Sequence, residues 1–217
     1  MCGAFTTPAG WNALDLHPDE DWVELEQSFA VRPFDSAVIV SATQDGIKAG
    51  RADQWSLIPP FAKERRLKYS TFNARLDKLI SSAVWRTAFP KRRCLVPVNG
   101  FFERVAEKGA TKKRPFYIQH PEQNPFCFAG LWSLWHDEED KKDLLTFTVI
   151  TTEPNDLMKE IGHHRMPCIV ESSDYQSWLD PNNLDEGALT NCIRTPFAGD
   201  ALSAYAVGYD INYRDRK

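Results

Sequence analysis

Apolar and polar residues alternate over short distances along most of this chain, a pattern typical of β-strands buried on one face. Strands are predicted at residues 37–42, before the turn signal Asp45-Gly46, and at residues 54–58, where Pro59-Pro60 ends the run. From residue 93 onward the strand pattern dominates. The strands predicted there cover residues 94–98, 101–102, 116–118, 127–134, 144–151, 166–170 and 205–207.

Helical spacing of apolar residues is confined to short segments. It predicts helices at residues 21–29, 75–84, 155–161, 172–179 and 185–193. Many short strands with brief helices between them predict an α+β fold, a single domain over residues 1–217 with a mostly antiparallel, barrel-like sheet as its core. We expect the tail after about residue 195 to be mobile.

Composition narrows the class of protein. The chain has 217 residues, 42% of them apolar, which is enough for one well-packed core. The formal charge of −4 argues against coating nucleic acid by bulk electrostatics, although local basic clusters at residues 63–68 and 86–93 allow a basic groove. No apolar run approaches the roughly 20 residues of a membrane span, and the first residues do not resemble a signal peptide. We therefore expect an intracellular, cytoplasmic monomer without a membrane partner.

The cysteines point to reduced thiols and to no metal site. There are five, widely scattered and odd in number, which does not suit a disulfide framework. No C-x-x-C pair occurs, so no structural zinc is predicted, and we expect no cofactor.

Cys2 is a candidate nucleophile because it follows Met1 directly. Removal of the methionine would leave a residue with both a free α-amine and a thiol. In unstructured peptides the pKa of an α-amine is about 8 and that of a cysteine thiol is about 8.5, so both groups are partly in their reactive form near neutral pH. An amine forms a Schiff base with an aldehyde, and the adjacent thiol can then close a thiazolidine ring. The stretch alone is equally compatible with a frayed end where the cysteine has no role.

Other polar residues interrupt apolar strands or lie at turns, and each has an ordinary explanation on its own. Asn73 could cap a helix, Glu103 could end an exposed strand, and His163 or His164 could be surface histidines. Arg75 and Arg165 could bind phosphate or carboxylate, or form surface ion pairs.

Their combination is more specific than any member. Met-Cys-Gly, Phe72-Asn73-Ala74-Arg75, a stretch from Arg93-Cys94-Leu95 to Gly100-Phe101-Phe102-Glu103, Ala129-Gly130-Leu131-Trp132 and His163-His164-Arg165-Met166-Pro167 occur in that order. In these five motifs the chain resembles the SRAP (SOS-response-associated peptidase) family of abasic-site processing proteins, from residue 1 to about residue 180.

The resemblance implies a function and a set of site residues. The partner would be single-stranded DNA containing an abasic site, with the protein nucleoid-associated when bound. Cys2 would form a Schiff base and then a thiazolidine crosslink with the opened sugar. Further implied activities are self-removal of Met1 and cleavage of DNA as a lyase.

The resemblance also implies a role for each matched residue. Asn73 would position the cysteine, Glu103 would assist proton transfer, and His163 would engage the sugar. Arg75 and Arg165 would contact phosphates. The aromatic and basic segment with Phe61, Arg65 and Arg66 adds candidate contacts for unpaired DNA.

The chain departs from the family pattern at several positions. Ala4 replaces a common arginine, Ala30 an asparagine, and Phe61 and Arg104 stand where tryptophan is frequent. Gly162 looks like an inserted residue, which leaves both His163 and His164 as candidates, although counting back from Arg165 favours His163.

Two other functions fit the opening residues. An N-terminal-nucleophile glutamine amidohydrolase also begins Met-Cys-Gly and uses the Cys2 thiol, but no glutamine-binding loop is evident. A non-catalytic DNA-binding protein would leave Cys2 without a role.

Overall fold

Two β-sheets packed face to face form the core of the protein. The structure, a computed structural model, describes residues 2–16, 22–43, 46–106, 109, 111–194 and 201–209. The smaller sheet has five antiparallel strands. Its spatial order is β14 (Ser203–Ala206), β9 (Arg114–Gln119), β8 (Gly100–Val105), β1 (Ala4–Thr7) and β2 (Ser28–Val31).

The larger sheet has nine strands. Its main path is β12 (Met166–Pro167), β11 (Lys142–Thr152), β10 (Phe126–Asp137), β7 (Arg93–Val98), β3 (Ala37–Thr43) and β4 (Gly46–Ala52). Three short strands join this path. These are β5 (Gln54–Trp55) and β6 (Asn73–Arg75), both parallel to β11, and β13 (Ile169–Val170), antiparallel to β10.

The helices are few and short. They are α1 (Asp156–Glu160), α2 (Tyr175–Leu179) and α3 (Glu186–Arg194), with 3₁₀ turns at Leu76–Lys78 and Ser172–Asp174. Within the described ranges, no helix is long and apolar enough to cross a membrane. The predicted α+β class, with a mostly antiparallel core in a single domain, is confirmed.

Strand alternation divides the buried side chains into two layers, one on each face of the larger sheet. Ile39 and Val96 point into the inter-sheet layer, where Phe128 of β10 meets Phe5 and Phe101 of the smaller sheet, with ring centroids 6.1 and 5.6 Å apart. Residues of opposite parity, such as Val40 and Leu95, point into the helix-side layer, where α2 and α3 cover the sheet.

Two predicted helices are wrong. Residues 22–27 contain no helix and lead into β2, while Asp21 lies outside the described residues. Trp22 and Leu25 are instead held by bonds to other segments: Trp22 donates to the Ile47 carbonyl, and Gly10 donates to the Leu25 carbonyl. Over residues 75–84 no α-helix forms, because the backbone up to Arg75 pairs with β11 before a single 3₁₀ turn.

The predicted strand at residues 54–58 is shortened to β5. The hairpin of β3 and β4 is confirmed by their pairing, with Thr43 opposite Gly46, although Asp45 lies outside the described residues. In the tail, residues 195–200 and 210–217 lie outside the described part, and Ser203–Ala206 pairs with β9.

Candidate active site

Cys2 lies in the inter-sheet layer, fully buried, two residues before β1. Its thiol donates to the Ala4 carbonyl at 3.7 Å. Burial raises the pKa of the Cys2 thiol well above its ordinary value, and the nearby Glu103 carboxylate raises that pKa further. The thiol therefore keeps its proton near neutral pH.

Asn73 reaches Cys2 from a strand 71 residues away in the chain. Because β6 pairs in parallel with β11, the Asn73 side chain is aimed at the start of the chain, and its Nδ2 donates to the Cys2 carbonyl at 2.8 Å. Its Oδ1 is buried and has no hydrogen-bond partner within the described residues. Asn73 is therefore no helix cap; it holds the backbone of Cys2 and retains one unused acceptor.

Glu103 and His163 form a buried pair beside Cys2. Glu103 Oε2 lies 3.1 Å from His163 Nε2, and the two side chains are 2% and 6% exposed. His163 Nδ1 lies 2.6 Å from the Arg165 carbonyl oxygen and 3.4 Å from the Arg165 backbone nitrogen. The shorter contact joins it to an oxygen that can only accept, so we assign the proton to Nδ1. The contact between Nε2 and the carboxylate then requires a second proton, which the pair can share and transfer.

The structure brings His163 and not His164 to this pair. His164 is exposed and stacks on His163, with centroids 5.2 Å apart. Gly162 follows the C-terminal cap of α1 with φ +85°, a left-handed conformation that glycine adopts without penalty. After this turn the His163 side chain is buried and the His164 side chain is exposed.

A cavity of about 480 Å³ opens next to the pair. Its lining includes Gly3, which follows the nucleophile, and both members of the pair. Phe102, Arg104 and Lys113 line it as well. Ala4 and Arg104, the two positions near the nucleophile and the pair where the sequence predicts a departure from the family pattern, both line this cavity.

The two site arginines lie near one another but in different environments. Arg75 is half exposed and is held by Asp77 through two contacts of 2.9 Å. Arg165 is buried and donates to the Thr151 carbonyl at 2.6 Å, with Nη1 at 3.5 Å from Glu153. Burial, and next the charge of Arg75, lower the pKa of Arg165. The role of Thr151 was missed from the sequence, since a threonine inside an apolar strand run gives no signal of its own.

A second cavity, of about 780 Å³, is lined by Arg165 together with Asp77, Glu153 and Glu186. Because these carboxylates repel anions, a phosphate that approaches Arg165 from this side would first have to displace Asp77 from Arg75.

Phe61, Arg65 and Arg66 lie on an irregular segment between β5 and β6. Phe61 is 60% exposed and both arginines are exposed. The segment is attached to β10 through Ala62, whose carbonyl accepts from Trp135 Nε1 at 2.7 Å. Among the described contacts, none joins these three side chains to Cys2, Glu103 or His163.

Comparison with known proteins identifies relatives along the whole chain. Residues 1–214 match the family model described as SOS response associated peptidase (SRAP). The abasic site processing protein YoqW of Bacillus subtilis (strain 168) is 32% identical over 216 residues, which cover 98% of this chain and 94% of the relative. The abasic site processing protein HMCES of Xenopus tropicalis is 29% identical over 151 residues, which cover 59% of this chain and 44% of the relative.

Solved structures share the fold. A crystal structure of a Bordetella bronchiseptica protein has a TM-score of 0.76 at 21% identity, covering 95% of this chain and 100% of that one. A Bacteroides thetaiotaomicron protein has a TM-score of 0.71 at 27% identity, covering 89% of this chain and 80% of that one. By these matches and by its five ordered motifs, the chain belongs to the SOS response associated peptidase (SRAP) family.

Proposed function

We propose that this protein forms a covalent adduct with abasic sites in single-stranded DNA through Cys2. The observation that carries the proposal is the convergence of Asn73, Glu103 and His163 on one buried cysteine at the start of the chain. The names of the relatives YoqW and HMCES, both abasic site processing proteins, support the same substrate.

The first step requires the α-amine of Cys2. Met1 lies outside the described residues, and its removal exposes that amine. Asn73 already holds the Cys2 carbonyl at 2.8 Å, and its unused Oδ1 is an acceptor suited to the new amine. The amide thus orients the nitrogen for attack.

The second step joins the amine to the lesion. The nitrogen attacks the C1′ aldehyde carbon of the opened sugar, and the resulting carbinolamine loses water to give a Schiff base. The departing hydroxyl needs a proton, which the Glu103–His163 pair can supply because it shares one across a 3.1 Å contact.

The third step closes the ring. The sulfur of Cys2 adds to the imine carbon, and the thiol proton ends on the nitrogen, so that aldehyde and aminothiol become thiazolidine and water. The raised pKa of the Cys2 thiol suits this order, because a protonated thiol does not compete with the amine and brings the proton that the nitrogen accepts.

The DNA backbone would lie over Arg75 and Arg165. Arg75 is half exposed and can exchange Asp77 for a phosphate, whereas Arg165 adds charge from a buried position. Phe61, Arg65 and Arg66 offer a ring and two charges to unpaired DNA further along the strand.

Two side activities follow from the same groups. If the thiol does not trap the Schiff base, a base that removes a C2′ proton expels the 3′ phosphate, which is lyase cleavage. Release of Met1 would be the peptidase activity for which the family is named.

A glutamine amidohydrolase finds less support, because it needs a readily ionised thiol, and burial and Glu103 raise the pKa of Cys2.

The test is a denaturing gel with a labelled single-stranded oligonucleotide that carries one abasic site. We expect a shifted, denaturation-resistant band with the wild type and none with Cys2→Ala. Cys192→Ala is the matched control, since Cys192 is a partly exposed thiol on α3 remote from this cluster, and it should behave as the wild type. An oligonucleotide with a tetrahydrofuran in place of the sugar has no aldehyde and should give no band.

Two variants separate the steps. Cys2→Ser keeps the amine but not the thiol, so its adduct should survive only when borohydride reduces the Schiff base. A fixed extension before Cys2 masks the amine and should abolish the adduct. An equal band with Cys2→Ala, or the absence of a band with the wild type, would refute the proposal.

A further inference from the structure

The outer face of the smaller sheet carries a row of three aromatic rings. Phe102 of β8, Tyr117 of β9 and Tyr205 of β14 are direct cross-strand neighbours in the ladder. The ring centroids are 4.8 Å apart for Phe102 and Tyr117 and 5.7 Å apart for Tyr117 and Tyr205. Their strand neighbours Phe101 and Ile118 point into the core, so the row faces outward.

The central ring is fixed in place. A Cβ atom at Gly100 would lie 2.5 Å from the Ile118 carbonyl oxygen and 2.6 Å from the Tyr117 Cζ and hydroxyl oxygen. The end of the Tyr117 ring therefore packs against the backbone of β8 at a position where only glycine fits. The Tyr117 hydroxyl reaches across to Thr6 Oγ1 at 2.7 Å on β1. The ring therefore spans three strands and keeps one orientation without a ligand.

The aromatic row continues directly into the cavity of the proposed active site. Phe102 belongs to the row and also lines that cavity beside Glu103 and His163. Arg104, two residues along β8 on the same outer face, is exposed and lines the cavity as well. Lys113, also exposed, lies at the same edge.

Cross-strand aromatic contacts also stabilise sheets, and that role alone explains why rings pair on neighbouring strands. It does not explain why Tyr205 keeps 48% of its surface exposed, or why two cations border the row where it meets the cavity. Exposed rings beside cations are the combination that binds unpaired nucleotides, since bases stack on the rings and phosphates meet the charges.

We propose that the surface formed by Phe102, Tyr117, Tyr205, Arg104 and Lys113, here called the aromatic platform, binds the unpaired nucleotides on one side of the abasic site. The location of the lesion rests on the proposed function, whereas the platform itself is defined by its rings and charges. Bases stack on Tyr117 and Tyr205, and Arg104 and Lys113 contact the phosphates between the platform and Cys2.

The platform predicts that binding depends on the length of the strand on one side. The probes are labelled single-stranded oligonucleotides with a central tetrahydrofuran, which cannot react, carrying one nucleotide on each side or six on the 5′ or 3′ side. For the wild type, one of the two extensions should lower Kd by at least about fivefold for each stacked base.

Tyr205→Ala should remove most of that gain, because the side chain is exposed at the sheet edge and its loss should leave the fold intact. Tyr117→Phe keeps the ring but loses the anchor on Thr6, and should retain an intermediate gain. Leu134→Ala, a side chain of similar exposure on β10 of the larger sheet, is the control and should bind as the wild type.

A second readout is the fluorescence of 2-aminopurine placed at each position of the favoured extension. Stacking on the platform should quench this fluorescence in the wild type. In Tyr205→Ala the ring is missing, and the fluorescence should be restored. If Kd depends on oligonucleotide length equally in the wild type and in Tyr205→Ala, the proposal is overturned. A face that binds a protein partner would give that result. A loss of affinity that is the same for all oligonucleotides overturns the proposal too.

The two proposals fail separately. If the reactive oligonucleotide gives no adduct but the length dependence requires Tyr205, the covalent chemistry is refuted and the platform stands. If adducts form and the extension has no effect, the chemistry stands and the platform is refuted.

Discussion

The two faces of the larger sheet bury polar groups in different ways. On the helix side, Arg93 directs its donors to five backbone carbonyls, including those of Trp178 at 2.6 Å and Phe89 at 3.1 Å. On the inter-sheet side, Glu103 and His163 contact each other through their side chains at 3.1 Å. Asn73 donates to the Cys2 carbonyl, and its Oδ1 has no hydrogen-bond partner among the described residues.

This difference distinguishes a buried polar group that stabilises the fold from buried polar groups that can take part in a reaction. A guanidinium saturated by main-chain carbonyls cannot be rearranged without exposing those carbonyls, so it serves stability. Side chains that share a proton or keep an acceptor can change partners when a substrate arrives. The helix-side layer should therefore control unfolding, and the inter-sheet site should control reactivity.

The largest effect should come from Trp178→Ala in the helix-side layer. Trp178 is fully buried, its Nε1 donates to the Cys94 carbonyl at 2.9 Å, and its ring packs on Phe89. We expect a loss of about 3–5 kcal/mol in the free energy of unfolding, measured by urea titration. The fraction that remains folded should form adducts at the wild-type rate; a selective loss of reactivity would contradict the division between the layers.

The next effect should come from Glu103→Gln in the inter-sheet layer. Loss of the carboxylate removes the shared proton of the pair with His163, so adduct formation should slow by about 100-fold or more, measured from gel time courses. The urea midpoint should move far less than in Trp178→Ala. Glu122→Gln, an exposed carboxylate after β9, is the control and should change neither quantity. A normal rate would remove Glu103 from the mechanism.

A smaller effect concerns the pH dependence of Cys2 alkylation by iodoacetamide. Only the thiolate reacts, and burial followed by the Glu103 charge raises the pKa of the Cys2 thiol. Alkylation should thus be slow at pH 7.5 and should rise as pH increases beyond about 8.5, the ordinary thiol value. Glu103→Gln lowers this pKa, so alkylation at a fixed pH should be faster.

Peptide mass spectrometry distinguishes Cys2 from the buried Cys94, Cys127 and Cys168. The same raised pKa implies that Cys2 stabilises the folded state below about pH 8.5, the unfolded value, and that this contribution is lost as pH rises towards the folded value. Slower alkylation in Glu103→Gln would show that the carboxylate does not act on the thiol.

The smallest effect should come from Arg75→Ala. Its guanidinium is half exposed and is already paired with Asp77, so loss of one phosphate contact should lower the slope of log K against log salt by about 0.7 for single-stranded DNA. Titration of a tetrahydrofuran oligonucleotide at several salt concentrations measures this. Lys142→Ala, at the start of β11 in the exposed turn, is the control. An unchanged slope would exclude Arg75 from phosphate contact.

The sequence alone placed most of the long strands. Continuous apolar runs became β7, β10 and β11, and the alternating run before Gly46 became a hairpin, because strand periodicity is a local property. The ordered motifs also indicated the family, which the match over residues 1–214 shows.

Helical spacing of apolar residues was a less reliable predictor where distant segments form hydrogen bonds with the same backbone groups. Leu25 accepts from Gly10, and Arg75 lies in a strand paired with β11, so both segments obtain backbone hydrogen bonds outside a helix. The period of apolar residues cannot reveal such partners, because they lie far away in the chain.

Local patterns along the chain were therefore sufficient to indicate the family, the strand-rich class and the set of candidate residues. The three-dimensional packing was needed to show that His163 rather than His164 contacts Glu103, that Asn73 holds Cys2, and that the Tyr117 ring packs against Gly100. The reason is physical. Strand patterning depends on neighbours two residues apart, whereas each of these contacts joins segments that meet only when both sheets have packed.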